Sequence, residues 1–133
     1  MFRLFNKEKV KGKDAEPADE QAVILRSTFD SGEDFGTEEE VETLRALEGE
    51  LSGALEEQGF DCDGYEIGEG EFILYCYGSN ADEMLAIIKP RIKRYPFAWY
   101  NITLRYGSVD DEGVEERHLR IDAIYQENSK EKN

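Results

Sequence analysis

The stretch Tyr65-Glu-Ile-Gly-Glu-Gly-Glu-Phe-Ile-Leu-Tyr-Cys-Tyr-Gly78 decides how this chain folds. Two short runs of β-forming residues flank Gly68-Glu69-Gly70, which is the pattern of a β-hairpin. A two-residue turn centred on Gly68-Glu69, of the Gly-x kind that type II′ turns use, pairs Tyr65 with Phe72. A three-residue loop over 68–70 would instead set Cys62 against Cys76 and leave Glu66 beside Phe72. The first register gathers Tyr65, Ile67, Phe72, Leu74 and Cys76 on one face. A slip of one residue would turn that apolar set toward water, so burial selects this register. The cysteines then do not oppose each other, and no disulfide is expected. Ile73, Tyr75 and Tyr77 occupy the other face.

Working outward from the hairpin, two helices frame it. Thr37 with Glu40 three residues on is a capping box, and Glu38, Glu39 and Glu40 suit the positive end of a helix dipole. Val41, Leu44, Leu47, Leu51, Ala54 and Leu55 recur at steps of three and four, so a helix is predicted over 38–58, stopped by Gly59. Asn80 with Glu83 repeats the capping signature before Met84, Leu85, Ile87, Ile88, Ile92 and Tyr95. Pro90 falls inside this second helix, where it removes a backbone donor and is expected to interrupt it.

Two further strands complete the order. Residues 22–29, AVILRSTF, are rich in β-formers, and the turn-rich acidic DSGEDFG follows over 30–36. Residues 99–107, WYNITLRYG, alternate, with Tyr100, Ile102, Leu104 and Tyr106 on one face and Trp99, Asn101, Thr103 and Arg105 on the other. Residues 115–124 read as an edge strand or a short helix. The order β-α-β-β-α-β predicts an α+β domain, a ferredoxin-like split β-α-β sandwich: an antiparallel sheet with both helices on one face and an optional C-terminal edge strand. The domain is expected over 21–125, between a flexible polar leader (1–20) and a disordered tail (126–133).

Composition narrows the function classes. The 133 residues hold 16 Lys and Arg against 31 Asp and Glu, a formal charge of −15. Residues 14–90 alone carry three basic and twenty-two acidic side chains. Such a field repels phosphate backbones and favours encounter with basic partners, so direct nucleic-acid binding is not expected. An RNA-recognition strand also needs aromatics and a leading base at fixed positions; aligning Gly70 with that motif's glycine puts Glu69 and Glu71 where the base and an aromatic belong. No run is apolar enough to span a bilayer, and the N-terminus lacks a secretory pattern, so the cytoplasm is the expected compartment. Phe2, Leu4 and Phe5 beside Arg3 and Lys7 offer at most a weak membrane contact.

The remaining motifs are negative. Counted from Asp61, a calcium loop wants glycine sixth and glutamate twelfth, but Glu66 and Phe72 stand there. Gly68-Glu69-Gly70 precedes a strand, not the helix a dinucleotide fingerprint requires. His118 is the only histidine. It has no triad partners, and with two cysteines it lacks zinc-site spacing. Acidic pairs such as Asp30 with Asp34, or Asp110 with Asp111, are unremarkable among so many carboxylates. No catalytic residue, metal or cofactor is assigned. Arg91, Lys93 and Arg94 close the second helix, either complementing its dipole or anchoring an acidic partner or anionic ligand.

An acidic chain with a Leu-rich helix ending in QGF (58–60), then EFILYCYG (71–78), a second capped helix and FAWYNITLRYG (97–107) resembles the small bacterial ferredoxin-like proteins typified by the regulator of RNase E activity B. The likeness covers residues 37–107. It implies action by binding and inhibiting a nuclease. Three readings of function follow. One is a non-enzymatic module that binds a basic protein, as a nuclease inhibitor or immunity protein would. Its acids Asp30, Glu33, Asp34, Glu38 and Glu39 would mimic phosphate, with Tyr75, Tyr77 and Trp99 as apolar anchors. Another is a small-molecule or enzymatic site on the sheet face, using Tyr75, Trp99, Asn101 and Arg105. The third is a structural homodimer; otherwise the chain is a monomer.

Overall fold

The computed structural model describes Phe2 and Arg3, residues 20–108 and residues 112–122. The elements are β1 (Phe2–Arg3), β2 (Gln21–Thr28), α1 (Glu38–Glu56), β3 (Asp61–Gly68), β4 (Glu71–Gly78), α2 (Ala81–Ile92), β5 (Tyr100–Arg105) and β6 (Glu116–Ile121). Five main strands and the two-residue β1 form one sheet in the order β1-β3-β4-β2-β5-β6, antiparallel at every step. The fold is therefore α+β, an antiparallel sheet with two helices, as the sequence predicts. Most of the expected leader and all of the expected tail lie outside the described residues.

Both helices start where their caps indicate. The Thr37 hydroxyl accepts from Glu40 N–H (3.1 Å) while a Glu40 carboxylate oxygen accepts from Thr37 N–H (2.9 Å). The Asn80 side chain accepts from Glu83 N–H at 3.0 Å. Leu44, Leu47, Leu51 and Leu55 of α1 and Met84, Leu85, Ile88 and Ile92 of α2 enter one core with the sheet residues Val23, Leu25, Ile67, Phe72, Leu74, Ile102 and Leu104. Pro90 does not interrupt α2, which runs on to Ile92. The Ile87 carbonyl, in the turn before the proline, accepts from the Arg91 guanidinium at 2.8 Å. Arg91 and Arg94 both reach Glu50 of α1, so these basic residues tie the helices together.

The hairpin register differs from expectation. Glu69 and Gly70 are the central turn residues, and both have positive φ, 55° and 78°, as a type I′ turn requires. Tyr65 consequently faces Leu74, and Phe72 faces Ile67. Gly70 is fixed from outside the hairpin: its N–H donates to Asp34 C=O and its C=O accepts from Phe29 N–H, each at 2.9 Å. The buried face keeps the predicted membership, because the shift is by an even number of residues.

A second difference follows further along β3. The register shifts between Cys62 and Tyr65, and Gly64 takes a positive φ of 92° there. This bulge brings Cys62 directly opposite Cys76. The expectation that the cysteines do not face each other fails for this reason. Both thiols are buried and unbridged, with Sγ atoms 3.9 Å apart. The contact with Cys62, together with burial, pushes the Cys76 thiol well above its ordinary pKa. A thiol-specific reagent is expected to label neither cysteine in the native protein and both in denaturant; rapid native labelling would contradict this packing.

Tyr100 gives a second test of the core. Its ring is fully buried and its hydroxyl donates to the Ile92 carbonyl at 3.3 Å. Burial pushes its ionisation far above the ordinary value of about 10. The unfolded chain gives up this proton near that pH while the native state holds it, so the contribution is complete below pH ~10 and is lost as pH rises beyond. Urea midpoints should fall across that window, and Tyr100→Phe should make the fall shallower.

Residues 116–121 form a strand rather than a helix. β6 extends the sheet beside β5, with Asn101 opposite Arg120 and Thr103 opposite His118. It therefore does not lie across the helix-free face.

Candidate functional site

The predicted site residues fall into two groups. Asp30, Glu33, Asp34, Glu38 and Glu39 are all exposed, in the loop after β2 and the first turn of α1. Tyr75, Tyr77, Asn101 and Arg105 lie on the helix-free face, with Trp99 just before β5.

The acidic group is held rigidly. One oxygen of the Glu40 carboxylate accepts from the Ser31 hydroxyl at 2.7 Å, the other from Ser31 N–H at 3.0 Å. The Ser31 hydroxyl in turn accepts from Glu33 N–H at 3.1 Å. Partial desolvation would raise the Glu40 pKa, but its hydrogen bonds from Thr37 and Ser31 outweigh this and hold it below the usual carboxylate range. Gly36 lies so close to Phe29 that a Cβ there would meet the ring at 2.9 Å. Together with the Gly70 bonds, these contacts join the loop to α1 and to the β3–β4 turn, where exposed Glu69 adds another carboxylate.

Two features of this end were not anticipated. Phe35 is 56% exposed, the one large hydrophobic residue so exposed among the described residues. The other is a shallow hollow of about 200 Å³ lined by Asp30, Glu39, Glu40, Thr43, Pro96 and Phe97. Its carboxylates can meet an ammonium or guanidinium group while Pro96 and Phe97 receive the aliphatic stem. Sequence composition reveals the acids, but nothing in it marks the aromatic contribution from the α2–β5 connection.

On the helix-free face the aromatics are separated. Tyr75 and Tyr77 face Ile24 and Ala22 of β2, whereas Trp99 lies beyond Asn101, the partner of Arg26 near the other end of that strand. The Tyr75 hydroxyl donates to Glu66 at 2.9 Å. The Arg120 guanidinium covers the Trp99 ring at 4.7 Å from its centroid. Arg105 pairs with Glu116. A wider hollow of about 590 Å³ is lined by residues including Arg26, Asn101, Thr103, His118 and Arg120.

No family model matches the chain, and no curated protein matches it. Among the described residues there is no helix long and apolar enough to cross a membrane and no group of three His, Cys, Asp or Glu side chains placed to hold a metal ion.

Proposed function

We propose that this chain is a ferredoxin-like, split β-α-β module that acts in the cytoplasm without catalysis, by docking a basic protein on its acidic end. The observation that carries this reading is the hollow lined by the carboxylate-bearing Asp30, Glu39 and Glu40 together with Pro96 and Phe97. Its lining chemistry suits a lysine or arginine side chain, and exposed Phe35 in the same loop as Asp30 offers the kind of apolar contact that interface hot spots use. The loop is already ordered by its hydrogen bonds, so docking costs little further entropy. The likeness to nuclease regulators points the same way, toward an inhibitory complex with a nucleic-acid-binding protein whose basic surface the carboxylates neutralise.

The test is capture from native-host lysate at low ionic strength, followed by affinity measurements on whatever basic protein is retained. Recovery of no basic protein by the wild-type chain would count against the reading. The wider hollow, with Arg120 on Trp99 and with Arg26 and His118 at its sides, favours a second reading in which a small anionic ligand binds the sheet. A thermal-shift screen of anionic metabolites would then raise the unfolding midpoint.

A further inference from the structure

The two edges of the sheet differ. At one end the two-residue β1 pairs with part of β3, through Phe2 opposite Ile67 and Arg3 opposite Glu66. Among the described residues, no strand pairs with the outer edge of β6. An edge of this kind presents a row of backbone donors and acceptors to any strand that fits it.

The phase of the β5–β6 ladder identifies those groups. Tyr106 N–H donates to Glu115 C=O at 3.0 Å, so the pair 106/115 is of the hydrogen-bonded type. Antiparallel ladders alternate, so Arg117 and Leu119 turn their backbone groups toward β5. Glu116, His118 and Arg120 turn theirs outward.

We propose that a second copy of this chain binds here, β6 against β6, antiparallel about a two-fold axis at His118. Two-fold registers centred on Glu116 or Arg120 oppose that charged residue to its own copy, which leaves those centred on 117, 118 or 119 to set the outward-facing residues against one another. Centring on Leu119 opposes His118 to the second copy's Arg120 and Glu116 to its Asp122, which sets like charges together. Centring on Arg117 leaves Arg120 opposite Val114. Centring on His118 opposes Glu116 to the second copy's Arg120 twice, and its three residue pairs form about six backbone hydrogen bonds. Charges along an edge strand ordinarily block indiscriminate pairing; here one register turns them into matched pairs.

Within one chain these side chains already ion-pair, Glu116 with Arg105 and Arg120 with Asp122. Pairing across the axis joins them into one network. A two-fold contact is isologous and uses the β6 edge of both copies, so it closes at two copies instead of growing into a filament. Both helix layers then lie on the same side of a continuous sheet.

Sedimentation of the full chain over a range of concentrations tests this. The expected result is a concentration-dependent species of twice the 15.3 kDa chain mass. His118→Pro removes an outward N–H that the β5 ladder does not use, and should give a monomer with an unchanged circular dichroism spectrum. Glu116→Arg places like charges opposite twice and should weaken the dimer about tenfold or more, while Glu116→Arg/Arg120→Glu restores it. A monomer at every concentration overturns the proposal. So does a dimer that both single variants leave intact. If His118→Pro does not fold, the charge-reversal pair decides alone.

Discussion

Alanine in place of Phe72 is expected to lower the free energy of unfolding by about 3–5 kcal/mol, read from urea denaturation. Phe72 is wholly buried on β4, an inner strand. Its ring meets Phe97 at 4.8 Å between centroids and Phe29 at 5.4 Å, and Phe97 continues the contact to Tyr100 at 6.4 Å. Alanine would leave a cavity bounded by rings that belong to three different segments, so no single shift can fill it. Against a total of about 5–15 kcal/mol for an ordinary domain, such a loss is a large fraction of stability. Phe35→Ala is the contrast: removing that exposed ring should change stability by about 0.5 kcal/mol or less. Comparable losses for the two variants would refute the assignment of core and surface.

The second large effect concerns binding. For a basic protein captured by the wild-type chain, Asp30→Asn/Glu39→Gln is expected to reduce affinity about a hundredfold, roughly 3 kcal/mol. These two residues line the acidic hollow, and among the described residues their carboxylates make no hydrogen bond that closes the loop. Glu40 is the wrong residue to neutralise, because its carboxylate holds both Ser31 and the Thr37 cap, and its loss would disturb the fold as well as the charge. Phe35→Ala should weaken the same complex by about 2 kcal/mol if the ring is a hot spot. Association should also slow steeply with added salt. An affinity indifferent to both salt and the double substitution would remove the acidic end from the interface.

What could be read from the sequence was whatever local chemistry settles. The caps at Thr37 and Asn80 and the leucine spacing of α1 need no distant partner, and both helices begin where those signals lie. The burial of Phe72, Leu74 and Cys76 on one face followed from alternation alone. The turn was not legible in this way. Gly68 and Gly70 can each take a positive φ, and the choice is made by Asp34 and Phe29, which reach Gly70 from a loop far away in the chain. The bulge at Gly64 had a signal, a glycine inside a strand, but its effect on Cys62 depends on pairing with β4. The short β6 segment fits a strand or a helix by pattern, and its partner β5 decides. Within the candidate site the carboxylates were visible as composition. Phe35 was invisible because an aromatic in an acidic loop carries no mark of exposure until the loop is pinned, and Phe97 because it arrives from the α2–β5 connection, far along the chain.

The strand order also fixes a sequence of events during synthesis. β2 emerges first among the main strands, yet its neighbours are β4 and β5, made much later. Its Ala-Val-Ile-Leu run therefore has no native strand partner while α1 and β3 are being produced. The β3–β4 hairpin closes from adjacent chain first, and once β4 is present it offers β2 its first edge. The middle strand of the finished sheet is thus translated before both of its neighbours and is enclosed on both sides only when residues 100–105 arrive.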